Sequence, residues 1–297
     1  MNAANIVREY VADKDLEHQR IMLARSDPAL NYGLVSAVLL NKVALMRLHQ
    51  LSEDIGLPIY PIIGMGSAPF RGNLSPSTVE ITMQEYPSVH TLTAQSSFKF
   101  DNPPEEVREG VRLIEERKRH APQDIDEEWA VDFIERYSEE YKRQIIKLAP
   151  MINQVSKHVP NRRKRKLHIG LFGYSRSLGG VTLPRAIRFT ASLYSLGIPP
   201  EVLALNIVTA SDMEMIETCC PHMEGSIRDA MRFLNPSSYI LLPDELVDSI
   251  KKLPIDHDVD ERHNAITEQV VSDMKKKRFE NLDELVLRAA NVRGFLG

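Results

Sequence analysis

Short apolar runs alternate along this chain with longer segments of helical periodicity, the pattern of a parallel sheet wrapped by helices. Four such units are legible. The first is a strand over 21–25 followed by a helix over 33–55, whose Leu34, Val38, Val43, Leu45 and Leu48 share an apolar face. A Gly-Leu-Pro turn at 56–58 ends that helix. Strands over 59–63 and 90–95 follow, and then a charged helical insertion over 103–165 with helices at 105–119 and 127–154. Val107, Val111 and Ile114, and later Phe133, Tyr137, Tyr141 and Ile145, recur at helical spacing, so both read as long surface helices. The fourth strand spans 167–173, and its helix begins at Pro184 and Arg185 and continues through Ala186, Ile187, Phe189 and Leu193.

Composition narrows the function classes. At 297 residues, 43% hydrophobic and 26% charged, the chain can bury a sizeable core. Its net charge of -4 argues against a dominant nucleic-acid surface, and no apolar run reaches the length of a membrane span. The N-terminal MNAANIVREYVADKDLEH lacks the basic start and apolar centre of a secretory signal, which makes the cytoplasm the expected location. Cys219 and Cys220 are adjacent and read as buried or idle thiols. The basic run 162–166, just before an apolar strand, reads as a solvated connector, and His90 and His168, beside strands and without visible partners, as structural histidines.

Chemistry concentrates in the loops after the strands. Residues 59–72, IYPIIGMGSAPFRG, run from a buried strand into a loop whose Gly64, Gly66 and Gly72 let backbone N–H groups approach a ligand, while Arg71 supplies a permanent charge with a bidentate fork. The alternative is a tight loop with a solvated arginine. The fourth loop repeats the logic, with Gly173, Gly179 and Gly180 around Arg176, and Arg185 where a helix begins. In an α/β barrel such loops gather at the C-terminal face of the strands, where Arg71, Arg176 and Arg185 would converge on one polyanionic substrate. Asp27, ahead of Pro28 in ARSDPALNYG, is placed either to ligate a hard divalent cation or to cap a helix. Gln95, Ser96, Ser97 and Lys99 form a polar set after the third strand, read either as substrate contacts or as an exposed turn.

Four motifs, SDPALNYG, GMGSAPFRGNLSP, TAQSSFKFDN and SRSLGGVTLPRAI, in this order, resemble the C-terminal part of phosphoenolpyruvate carboxylase of the short archaeal type. The resemblance covers nearly the whole chain. It implies the C-terminal half of a decorated (β/α)8 barrel over 1–297, and a reaction of phosphoenolpyruvate with bicarbonate to give oxaloacetate and phosphate through carboxyphosphate and the enolate of pyruvate. It implies Mg²⁺ or Mn²⁺ as cofactor, with Asp27 as metal ligand and Arg71, Arg176 and Arg185 as catalytic arginines. Gly64, Gly66, Gly72, Gln95 and Lys99 fall among the substrate contacts. Arg293 and Gly297 resemble a family C-terminus that ends near the active site. A homotetramer is the implied assembly, with no nucleic-acid or membrane partner.

Two departures qualify the resemblance. Met65 stands where the longer enzymes of the family have a second arginine. Only four strand-helix units are present, whereas a closed barrel needs eight, and the family's metal-binding glutamate and catalytic histidine belong to sequence upstream of Met1. The expectation is a C-terminal portion that is inactive until a complementing N-terminal half is supplied. The competing expectations are a non-catalytic half-barrel that assembles through its strand edges, and another phosphoenolpyruvate-handling lyase or mutase.

Overall fold

The structure, a computed structural model, describes residues 3–66, 68–160, 176–255 and 258–294. The strand expected over 167–173, with Gly173, His168 and the basic run 162–166, lies outside the described residues, as does Gly297. In chain order the elements begin with α1 (Ala3–Val11), β1 (Gln19–Ala24), α2 (Ser26–Tyr32), α3 (Leu34–Ile55) and β2 (Ile59–Gly64). They continue with α4 (Val79–Glu85), β3 (Thr91–Thr93), α5 (Ser96–Phe100), α6 (Pro104–Glu116) and α7 (Glu127–Val155). Then come β4 (Arg176–Leu178), β5 (Val181–Leu183), α8 (Ala186–Ser195), α9 (Ala210–Cys219) and α10 (Met223–Met231). The last are α11 (Asp244–Lys252), α12 (Glu261–Lys275) and α13 (Leu282–Val292). The fold is mixed α/β and mostly helical. It divides into two compact units, Met1–Arg136 with Thr209–Met223 and Tyr137–Val208 with Glu224–Gly297.

The first unit holds a three-stranded parallel sheet in the order β1-β2-β3, with Gln19 opposite Ile59, Ala24 opposite Gly64 and Gly64 opposite Thr93. Parallel neighbours need long crossovers, and α3 supplies the first of them. One face of the sheet is covered: Ile21, Leu23 and Ile59 pack with Val7, Val11, Leu48 and Leu51 of the helices. On the other face Arg20, Met22 and Ala24 of β1 are exposed, Met22 by 56%. β1, β2 and α3 thus match the sequence reading closely. The third strand is shorter than expected, because Gln95 takes an extended backbone and opens a short helix, α5, which Phe98 anchors from the buried side. The face assigned to α6 also differs. Val111 is exposed, and the buried position is Gly110, whose missing side chain lets the helix approach Pro76 and Phe98.

α7 begins in the first unit and continues into the second. It carries the charges that mark a surface helix, yet Phe133, Tyr137, Tyr141 and Ile145 are fully buried, so its apolar stripe is core. In the second unit Tyr137 donates its hydroxyl to the Leu203 carbonyl at 2.8 Å, and α8 packs with α12 and α13. The glycines expected to shape an anion loop after 173 instead form a turn. Gly179 and Gly180 both have positive φ, 55° and 85°, and join β4 to β5 as an antiparallel hairpin.

His263 of α12 is fully buried, and among the described residues neither ring nitrogen has a hydrogen-bond partner. Burial lowers its pKa to about 4, against the pull of Asp260 and with the help of Arg293. The folded chain therefore refuses a proton that the unfolded chain accepts below its ordinary value near 6.5. Stability is expected to fall as pH drops from 6.5 towards 4, by up to about 3 kcal/mol, and to level off below. Urea unfolding across this range would show it as a slope that His263→Leu removes. An identical slope in the variant would locate the titration elsewhere.

Candidate active site

The first-unit residues that the sequence assigns to a site follow the C-terminal ends of its parallel strands. The N–H of Arg25 donates to the Gly64 carbonyl at 2.9 Å, and the N–H of Met65 to the Thr93 carbonyl at 3.1 Å, which ties the three strand ends together. Asp27 lies in the first turn of α2, and the residue at the N-cap is Arg25, so Asp27 is not the capping residue. Its carboxylate is 73% exposed. Its contact is Arg71, whose Nη2 lies 3.7 Å from Oδ1.

Arg71 ends a 3-10 turn, Pro69–Arg71, and is 7% exposed. The loop closes on itself around it. Gly66 donates its N–H to the Arg71 carbonyl at 2.9 Å, and Gly72 donates to Pro69 at 3.2 Å. A Cβ on Gly66 would sit 2.7 Å from that of Arg71, and Gly72 has φ of 127°, so both glycines are required by the loop's shape. Their N–H groups hold the loop, and the cation it presents is the guanidinium. Gly64 faces the Met22 side chain, whose methyl would lie 2.5 Å from an added Cβ. Met65 is buried with its thioether under Gly72, filling the loop where a second arginine stands in the longer enzymes. After β3, Gln95 is half-buried, and Lys99 is exposed with Nζ 5.3 Å from the Phe100 ring.

Beneath these loops lies a buried polar group that the sequence does not announce. Arg25 continues the inward register of Ile21 and Leu23, is almost fully buried and donates from Nε to the Tyr86 hydroxyl at 3.2 Å. Burial raises the Tyr86 pKa, with Arg25 opposing. Lys42, on the buried face of α3, pairs with Glu85 at 2.8 Å and donates to the Glu85 carbonyl at 2.7 Å. The available signal is a charged residue at an apolar position of a periodic run, which periodicity alone treats as an exception. Cys219 and Cys220 are free and buried in the same unit.

In the second unit Arg176 opens β4, its backbone paired with Leu183, and Arg185 is exposed directly ahead of α8, its carbonyl accepting the Phe189 N–H at 2.7 Å. Arg293 is held inside that unit. Its Nη2 lies 2.6 Å from Asp229 and 3.9 Å from Glu201, and its guanidinium packs over Tyr194 and Phe233 at 5.1 and 4.5 Å. Burial disfavours its charge, but Tyr194, Glu201 and Asp229 outweigh that and raise its pKa.

A family model described as phosphoenolpyruvate carboxylase matches residues 1–297. The chain belongs to the phosphoenolpyruvate carboxylase family. Among curated relatives named phosphoenolpyruvate carboxylase, that of Methanospirillum hungatei is 50% identical over 297 residues, covering 99% of this chain and 60% of the relative. That of Methanothermobacter thermautotrophicus is 48% identical over the whole chain and 61% of the relative, and that of Pyrococcus abyssi is 44% identical with the same coverage. The chain thus spans about three-fifths of the length of these carboxylases. No described helix is long and apolar enough to cross a membrane.

Proposed function

We propose that this chain supplies the C-terminal part of a phosphoenolpyruvate carboxylase, which converts phosphoenolpyruvate and bicarbonate to oxaloacetate and inorganic phosphate. The observation that carries this reading is the Asp27–Arg71 pair at the ends of adjacent parallel strands, in a chain matched throughout by the family. The sheet also favours a barrel. Its strands follow one another in sequence order, and the face bearing Met22 is left open, as the interior face of a half-barrel would be.

Among the described residues no group of three or more His, Cys, Asp or Glu is placed to hold a metal. A hard cation that keeps most of its waters needs only one or two carboxylates and substrate oxygens, and the exposed Asp27 fits that role for Mg²⁺ or Mn²⁺. When bound, such an ion supplies positive charge for an enolate oxygen. Arg71 neutralises a phosphate or bicarbonate oxyanion through its fork, and its fixed placement means no reorganisation as charge develops. For Arg176 and Arg185 the role of holding the remaining anionic groups rests on the resemblance of the SRSLGGVTLPRAI motif alone. Bicarbonate oxygen takes the phosphoryl group to form carboxyphosphate and the enolate, and carboxyphosphate then releases phosphate and carbon dioxide, which the enolate carbon attacks. Water must be kept from the enolate to prevent its protonation.

The test mixes the purified chain with the segment that the Methanospirillum hungatei carboxylase carries outside the matched region, in phosphoenolpyruvate, bicarbonate and Mg²⁺. Equal amounts of oxaloacetate and phosphate, both dependent on bicarbonate, are expected from the mixture, and neither product from the chain alone. Phosphate release indifferent to bicarbonate would favour a different phosphoenolpyruvate enzyme, and a tight but silent complex would favour an assembly module.

A further inference from the structure

The opposite ends of the same strands carry a second concentration of charge, about 20 Å from Asp27 by the length of a six-residue strand. His18 precedes β1, Tyr60 is the second residue of β2, and His90 precedes β3. The Tyr60 ring lies 5.4 Å from that of His18 and 4.5 Å from that of His90. Arg20 donates to the Thr91 hydroxyl at 3.4 Å, and His90 Nδ1 is 3.1 Å from the same oxygen. Arg117, just past α6, donates from Nη2 to the Val89 carbonyl, while its Nη1 is buried with no hydrogen-bond partner among the described residues. Burial lowers the His90 pKa, and Arg119, Arg20, Arg117 and His18 lower it further. Arg117 is likewise lowered by burial and by Arg119.

The arginines of this cluster have no carboxylate partner among the described residues. Among the described residues no carboxylate lies within ion-pair distance of Arg20, Arg117 or Arg119, and the neighbouring Glu116 is engaged by Arg112. Guanidiniums gathered without an acid, one with a buried unused N–H, are the donor set that a planar or tetrahedral oxyanion satisfies. We propose that His18, Arg20, His90, Thr91, Arg117 and Arg119 form a binding site for a small multivalent oxyanion, a phosphate or a di- or tricarboxylate, separate from the Asp27–Arg71 site. An extended polyanion fits poorly, because the adjoining α6 carries Glu105, Glu106, Glu109, Glu115 and Glu116. A nucleoside is disfavoured too, since the Tyr60 ring already contacts both histidines.

The full chain is titrated with inorganic phosphate and, separately, with citrate, against sodium chloride at equal ionic strength. NMR follows the imidazole resonances of His90 and calorimetry follows binding. Saturable binding of either anion, with the His90 midpoint rising towards 6.5, is expected, and the tighter of the two identifies the phosphate or carboxylate class. Arg20→Gln and the exposed-site variant Arg119→Gln should each weaken binding by about tenfold, the scale of one charge-assisted contact. Arg71→Gln should leave it unchanged, which keeps this site distinct from the proposed carboxylase chemistry. Response no greater than chloride gives, or binding lost in Arg71→Gln yet retained in Arg20→Gln and Arg119→Gln, would overturn the proposal.

Discussion

Arg293→Met is expected to cost the chain about 3–5 kcal/mol of folding stability, the range for removing one partner of a buried ion pair. The argument turns on what the arginine leaves behind. Glu201 is buried, and burial already pushes its pKa up while Arg293 holds it down. Without the guanidinium, Glu201 keeps the Tyr194 hydroxyl as a side-chain donor among the described residues, and Phe233 and Tyr194 lose the cation packed across their rings. A domain of ordinary stability has only about 5–15 kcal/mol in total, so the loss should be plain in urea unfolding at pH 7. Its pH dependence has a definite sign. A carboxyl whose folded pKa is raised destabilises most when it is forced to ionise, so the gap between variant and wild type should narrow as pH falls towards 5. Arg293→Met with Glu201→Gln should recover much of the loss, because an uncharged pair has no stranded anion. If Arg293→Met unfolds at the wild-type urea midpoint, the fold does not need this charge, and the substrate role that the sequence suggests for Arg293 gains ground.

The same residue shows where sequence reading stops. Periodic apolar runs made β2, α3 and the helical course of α7 legible, because one face of each is apolar at regular spacing. The charges along α7, however, marked it as a surface helix and hid the full burial of its stripe. Arg25, Lys42 and Arg293 break that spacing, and each is buried by partners distant in sequence: Tyr86 for Arg25, Glu85 for Lys42, Glu201 and Asp229 for Arg293. Nothing local to those positions encodes such a partner. Glycine posed the reverse problem. Gly66 and Gly72 pointed correctly to a constrained loop, but whether their N–H groups serve a ligand or the loop depends on where the chain returns, and Gly66 meets the carbonyl of Arg71 itself. The motif order found Asp27 and Arg71 together because both follow adjacent parallel strands, and parallel pairing brings strand ends to a common edge.

Arg71→Gln is expected to lower kcat/KM of the complemented carboxylase by about 10²–10³, the effect of removing one preorganised donor to a developing anion. Glutamine retains hydrogen-bonding capacity but neither the charge nor the five-donor fork, and Arg71→Lys, which restores a point charge without the fork, should fall between the two. The substitution should be read against Asp27→Asn, which removes the other member of the 3.7 Å pair from an exposed position. That variant should raise the Mg²⁺ concentration needed for half-maximal rate, since an amide is a poorer ligand for a hard cation. Arg71→Gln should instead act on the anion terms, raising KM for phosphoenolpyruvate or bicarbonate and lowering kcat, with the Mg²⁺ dependence little altered. The two residues touch, so a shared structural role would make either substitution shift all these parameters together. Separate signatures require that each side chain meet a different ligand. Wild-type kcat/KM in Arg71→Gln would remove the arginine from the reaction altogether, and would leave the closed glycine loop as a structural turn built around a buried charge.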